Sequence, residues 1–238
     1  MYFDIHSHIL HNIDDGAKNI DTSLSLLKES ARQGISNIIL TPHFYPLDVN
    51  LEAYTAKAEE NFTQLKETLE NENLPNIYLG YEVLYYAGIG RAEALKQLTL
   101  NRSKYILIEP EYDRFDTSIQ RDLFRMCENE LIPIIAHIER FYKFRGYKKF
   151  LKFVKENNIL TQVNATSYFN KKYDEILSIL MAEDMVTVVA SDAHSTYTRP
   201  PLIAPALNKI KKHFGEGYAQ KLIQNSQNLL SEIVEKEF

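Results

Sequence analysis

The 238-residue sequence predicts a single α/β domain, residues 1–238, whose seven parallel strands form a closed or nearly closed barrel in preference to an open doubly wound sheet. Three observations lead there. Short apolar runs alternate with longer stretches of helical periodicity, each run is joined to the next by a segment long enough for a crossover helix, and no repeat or Pro/Gly/Ser-rich linker divides the chain. Strands this apolar are read as buried on both faces, as in a parallel sheet covered by helices.

The first strand is expected over Tyr2 to Ile5. Asp21 is placed to cap a helix whose Leu24, Leu27 and Ala31 share a face, and Gly34 to end it. Strand two spans Ser36 to Leu40, and Asn50 caps a helix in which Leu51, Tyr54, Ala58, Phe62, Leu65 and Leu69 recur at spacings of three and four. Strand three runs from Ile77 to Val83. Further strands are expected at Tyr105–Ile108, Pro133–Ala136, Leu160–Val163 and Val186–Ala190, with helices near 116–130, 148–157 and 173–184 and two more closing the chain.

A net charge of −5 provides no overall basic field for nucleic acid. The local run Lys143, Arg145, Lys148, Lys149 reads as a solvated approach to a helix. Cys127 is the one cysteine, so no intramolecular disulfide forms and a reducing compartment is implied. The N-terminus lacks a signal-peptide pattern, and no apolar run approaches the ~18 residues that span a bilayer, so a cytoplasmic protein without membrane insertion is expected.

Five of the seven histidines and three carboxylates fall at strand ends. His6 and His8 leave strand one, His43 follows strand two, Glu82 lies near the end of strand three, Glu109 and His137 terminate the next two, and Asp192 and His194 follow the last. In a parallel barrel these ends share the face that carries active sites. Imidazole with carboxylate is the donor set of Zn²⁺, Mn²⁺ and Fe sites, and H-x-H on a strand puts both rings on one side. Asp4 shares that parity, whereas Phe3 and Ile5 face the other way. Five histidines and at least three acids exceed the needs of one ion, which points to two or three. Asp14 and Asp15, in I-D-D-G, read equally well as an Asx turn before the first helix.

The motifs D-I-H-S-H at 4–8, D-D-G at 14–16, T-P-H at 41–43, I-E at 108–109, H-I-E-R at 137–140 and S-D-A-H at 191–194 with R-P-P at 199–201 resemble the polymerase and histidinol phosphatase (PHP) superfamily. Within it, the chain is similar to the bacterial manganese-dependent protein-tyrosine phosphatases of capsule and exopolysaccharide operons. The resemblance implies a distorted (β/α)7 barrel and a cluster of two or three divalent ions, Mn²⁺ foremost and Fe²⁺ or Zn²⁺ compatible with the same donors. It implies His6, His8, Asp15, His43, Glu82, Glu109, His137, Asp192 and His194 as ligands, with Glu109 and Asp192 shared, and it favours Asp15 over Asp14. Arg140 and Arg199 match the arginines that hold the phosphate, a role suited to a planar fork of donors. Asp4, one step deeper along the strand, is expected to orient a ligand histidine from behind.

The implied reaction is attack on phosphorus by water made nucleophilic by the metals, with the arginines stabilising the equatorial oxygens. The implied partner is a phosphotyrosyl protein, a cognate bacterial tyrosine kinase controlling polysaccharide export. A cysteine-dependent phosphatase requires C-x5-R, but Pro133 stands six residues after Cys127, which is expected to be a packing residue. Tyr81, Tyr85, Tyr86 and Tyr112 are candidates to stack on a phosphotyrosine ring, with packing the simpler role. The competing readings are a small-molecule phosphoesterase such as histidinol phosphatase, a metal-dependent amidohydrolase, and a non-catalytic barrel that would bind no stoichiometric metal.

Overall fold

A computed structural model describes residues 2–69, 73–111 and 118–234. Among them, nine short strands, all parallel, make seven staves. β1 (Tyr2–Asp4) pairs with β2 (Ile35–Leu40), and β2 with β4 (Asn76–Leu79). β3 (His43–Phe44) and β5 (Glu82–Leu84) extend β2 and β4 after two-residue breaks; Gly80 N–H donates to Leu40 O at 2.9 Å and Glu82 N–H to Pro42 O at 3.1 Å, keeping the halves in line. The ladder then continues from β5 through β6 (Tyr105–Glu109), β7 (Ile132–Ile135) and β8 (Leu160–Asn164) to β9 (Val188–Ala190). The expected strand Ile77 to Val83 is therefore two strands of one stave. Its break has a steric cause, because a side chain at Gly80 would run into Leu100 and Ile39, and Pro42 has no N–H with which to carry the neighbouring ladder.

The ring closes irregularly between β9 and β1. Here side chains replace a ladder: the Tyr2 hydroxyl donates to Val189 O at 2.8 Å and accepts from Val189 N, and the Ser226 hydroxyl accepts from Phe3 N at 2.8 Å and donates to Phe3 O at 3.0 Å. Beyond the strands the main chains meet, with Asp192 N–H donating to His6 O and His8 N–H to Ala193 O, both at 2.9 Å. This seam is what distorts the (β/α)7 barrel.

The covering helices are α1 (Ile20–Arg32), α2 (Leu51–Thr68), α3 (Ser118–Glu128), α4 (Tyr147–Glu156), α5 (Asp174–Ala182), α6 (Ile203–Phe214) and α7 (Glu216–Val234). Asn50 caps α2 as expected, accepting from Ala53 N at 2.9 Å. The cap of α1 is Asn19 rather than Asp21: its side chain accepts from Thr22 N at 2.9 Å, which leaves Asp21 inside the first turn. Gly34 follows the end of α1 with φ +77°, a conformation natural to glycine. Three 3-10 turns at Ile89–Arg91, Glu93–Leu98 and Leu100–Arg102 carry the chain from β5 to β6. Cys127 lies on the exposed side of α3, so the packing role expected for it is not the one it has; the inward positions of that helix are Leu123 and Met126. Strand residues such as Ile39, Leu107, Ile134 and Val189 are fully buried, and each such side chain stabilises the barrel by roughly 1.5–3 kcal/mol. No helix of the described residues is long and apolar enough to cross a membrane.

Candidate metal centre

The C-terminal ends of the staves deliver all nine predicted ligand residues to one cleft. His6 and His8 leave β1, His43 opens β3 opposite Glu82 of β5, Glu109 ends β6, His137 follows β7, and Asp192 and His194 follow β9. His137 and Asp192 reach the cleft from left-handed backbone, φ +32° and +49°; strained conformations of this kind concentrate where function over-determines them.

At the centre, His6 Nε2, His8 Nε2, Glu82 Oε2 and Asp192 Oδ1 converge. His6 and His8 nitrogens are 3.2 Å apart, 3.3 and 3.2 Å from the Glu82 oxygen and 3.5 and 3.4 Å from the Asp192 oxygen. Four donors held about 2.1 Å from one ion would stand about 3.4 Å apart at tetrahedral corners. Glu82 Oε2 and Asp192 Oδ1 are buried yet have no hydrogen-bond partner among the described residues, and His194 Nε2 is in the same condition. Buried polar atoms are otherwise nearly always satisfied. A divalent cation fits these orphans and the donor set.

Two further groups adjoin the first. His43 Nδ1 lies 2.9 Å from Glu82 Oε2 and 3.7 Å from Glu109 Oε2, while His137 Nε2 lies 2.8 Å from Glu82 Oε1 and 3.2 Å from Glu109 Oε1. At the mouth, donors of His8, Asp15, His43 and His194 lie within 4.8 Å of one another. Asp15 is 62% exposed, with Oδ1 3.2 Å from His194 Nε2. Glu82 touches four imidazoles, making it a carboxylate placed to be shared, beside Glu109 and Asp192, which the family resemblance implies for that role.

Electrostatics favours positive charge here. Burial would raise Glu82, but His6, His137 and His43 outweigh it and hold the carboxyl well below its usual range. Asp192 is likewise held low despite burial, by His6, His8, Arg140 and Arg199. Burial opposes a proton on His8, yet Asp14, Asp192 and Glu82 draw its pKa well above the ordinary value. Burial and Arg140 oppose one on His137, and Glu109 and Glu82 prevail, lifting it to about 9. A field that retains protons so firmly will also retain metal cations.

Behind the ligands stand residues the sequence reading did not assign. His6 Nδ1–H donates to Gln162 Oε1 at 3.1 Å, the same oxygen accepts from His137 N at 2.8 Å, and Gln162 donates to Asn164, whose amide donates to Asp192 Oδ2 at 2.6 Å. Gln162 and Asn164 are polar at alternate positions of the buried strand L-T-Q-V-N, a period-two signal that marks an inward-facing pair. Asp14 makes the Asx turn, accepting from Gly16 N at 2.9 Å, and also holds His8 Nδ1 at 2.7 Å. Gly16 is required there, because a side chain would collide with the His8 carbonyl. Asp4 differs from expectation: it accepts from the main-chain N–H groups of His6 (3.3 Å) and Ser191 (3.0 Å), tying strand ends together, while Gln162 orients the His6 ring.

Arg140 and Arg199 meet at the rim, both donating to Asp192 Oδ2, Arg199 at 2.7 Å. Of the tyrosines considered for ring stacking, Tyr81 and Tyr85 are buried, and Tyr85 hydrogen-bonds to Ser118 and Asp122. Tyr86 is half-buried and Tyr112 lies outside the described residues. Tyr45, not singled out in the sequence, stacks on His43 with centroids 5.2 Å apart.

The profile of the family described as "Capsular polysaccharide synthesis, CpsB/CapC" matches residues 2–231. The chain belongs to the CpsB/CapC family. Among relatives of this family member, the tyrosine-protein phosphatase CpsB of Streptococcus agalactiae is 32% identical over 246 residues, spanning 95% of this chain and 97% of its own. The tyrosine-protein phosphatase YwqE of Bacillus subtilis is 32% identical over 235 residues, covering 95% and 91%. A solved structure from the work on YwqE of Bacillus subtilis and CpsB of Streptococcus pneumoniae, described as unique metal-dependent tyrosine phosphatases, superposes with TM-score 0.83 at 29% identity, over 99% of this CpsB/CapC chain and 96% of that one. A histidinol phosphate phosphatase from Lactococcus lactis shares the fold at TM-score 0.56 and 14% identity.

Proposed function

We propose that the chain, acting as one catalytic unit over 1–238, is a metal-dependent protein-tyrosine phosphatase. The observation that carries this reading is the pairing of nine metal-compatible donors with two guanidiniums that meet on the outer oxygen of Asp192. His6, His8, Glu82 and Asp192 would hold one ion, His43, His137, Glu82 and Glu109 a second, and Asp15 and His194 a third, with Mn²⁺ as the working metal. Bound ions supply Lewis acidity, lowering the pKa of a water toward neutrality and neutralising charge on phosphoryl oxygens.

The chain's own residues do the rest. Arg140 and Arg199 grip equatorial oxygens of the phosphoryl group and gain strength as charge grows there. Gln162 and Asp14 keep the Nε2 lone pairs of His6 and His8 aimed inward. A tyrosine leaving group has pKa ≈ 10, so its departure demands less protonation than an alkoxide's. A protein rather than a metabolite as substrate is supported by the exposed Tyr45, Leu47, Phe169 and Tyr197 on loops that follow strands. The family description supports a phosphotyrosyl protein of capsular polysaccharide synthesis as that substrate, with a cognate bacterial tyrosine kinase the one proposed, and the single unpaired Cys127 supports a cytoplasmic setting.

The test compares phosphotyrosyl peptide with histidinol phosphate in Mn²⁺, with chelator and Arg199→Ala controls. The expected result is peptide turnover that chelation abolishes and Arg199→Ala lowers by a factor on the order of 10². Histidinol phosphate turned over equally well would overturn the specificity, and activity surviving thorough chelation would overturn the chemistry.

A further inference from the structure

Two residues beyond Arg140, Tyr142 opens a groove of about 430 Å³ between α4 and α5. Its floor is apolar, with Leu151, Ile176, Ile179 and Met185; Lys148, Lys152 and Lys155 stand on its α4 bank, and Glu175 and Glu183 line the opposite side, Glu183 paired with Lys155. Ile179 is 43% exposed. The rim above it is basic. Lys143, Arg145, Lys148, Lys149, Lys171 and Lys172 are exposed, and none has a carboxylate within ion-pair distance among the described residues. In a chain of net charge −5 this concentration of cations is local.

The rim is also fixed in place. Tyr142 and Tyr173 meet edge to face at 6.0 Å, joining the loop after β7 to the loop after β8. Lys143 sits over the Tyr142 ring at 5.4 Å and Lys172 over the Tyr173 ring at 4.5 Å. These lysines are thus held beside the entrance that Arg140 shares.

Building on the phosphatase reading, we propose that this groove and its basic rim dock the acidic flank of the phosphotyrosyl segment whose phosphate Arg140 and Arg199 hold. The ten residues of α4 make a track about 15 Å long, enough for four to five extended residues at roughly 3.3 Å each. An apolar floor under a lysine bank suits a peptide that alternates acidic and apolar side chains. A lipid surface fits less well, because Lys152 and Lys155 lie down the barrel wall, away from the plane of the mouth.

The test uses labelled tyrosyl and phosphotyrosyl peptides with acidic, neutral or basic flanks on either side, read by anisotropy and by kcat/KM, with 4-nitrophenyl phosphate as a substrate that reaches only the cleft. Acidic-flanked phosphopeptide should be preferred about tenfold over neutral, and the combined Lys143→Glu/Lys148→Glu/Lys172→Glu variant should erase the preference through KM. Ile179→Asp should weaken it as well, and neither variant should change 4-nitrophenyl phosphate turnover. Equal binding and turnover of all flanks would overturn the proposal, as would retained preference in Ile179→Asp. Binding of the wild type to phosphatidylserine vesicles, lost in the triple variant without any flank preference, would reassign the patch to membranes. A flank preference in binding without turnover of any phosphopeptide would uphold the docking groove and overturn the phosphatase reading instead.

Discussion

At the scale of single residues, orientation matters as much as ligation. His6→Ala should abolish metal-dependent turnover outright. Asp14→Asn should lower metal affinity roughly 10–100-fold, measured by titration calorimetry, because His8 loses the carboxylate that fixes its ring. Asp4→Asn should have a smaller effect, since Asp4 binds main chain and no ring. Eight of the nine proposed ligands were legible because each sits at a strand end, whereas Asp15, in a turn, came only with the family resemblance. The roles of Asp14, Gln162 and Asn164 were less so: a turn residue has no spacing signature, and the period-two spacing of the two amides says only that they face inward until the barrel brings them behind a ligand.

Protonation supplies a second residue-scale prediction. His137 is raised to about 9 in the folded chain against about 6.5 unfolded. Its contribution to the metal-free protein is therefore complete below about pH 6.5 and lost as pH rises through 9. Calorimetry of the chelated protein should show Tm falling across that window. The gain in Tm on adding Mn²⁺ should grow over the same range, since ligation needs the neutral imidazole.

At the scale of elements, the two asparagine caps are separable from their neighbours. Asn19→Ala should destabilise by about 1 kcal/mol in urea unfolding, and Asp21→Ala by clearly less. Asp21 was the expected cap, and only the backbone geometry of N-I-D-T gives the role to Asn19, which is extended while Asp21 is already helical. The split of one expected strand into β4 and β5 was similarly hidden, because Gly80 reads as an ordinary strand interruption until Leu100 is seen against it. The count of seven parallel strands itself was plain from apolar runs and crossover lengths.

For the whole molecule, the last long helix completes the first strand. Ser226 of α7 is fully buried and satisfies both the N–H and the C=O of Phe3. Ser226→Ala leaves two buried main-chain groups without their partner, and should cost about 1–3 kcal/mol in thermal or denaturant unfolding. Because β1 leads directly into His6 and His8, the same variant should also weaken metal binding, whereas a cavity of equal size elsewhere should not.

The irregular join between β1 and β9 has a thermodynamic meaning. Its two banks contribute the same ligand group, His6 and His8 from one side and Asp192 from the other, so an ion held there is a clasp across the weakest line of the barrel. Ligand binding to the native state alone adds stability by mass action, and here that gain is concentrated where the backbone is least zipped. Hydrogen exchange should show amides of 2–8 and 188–194 slowing more on Mn²⁺ addition than those of β6 and β7. Uniform protection would mean that the ring is shut without its clasp.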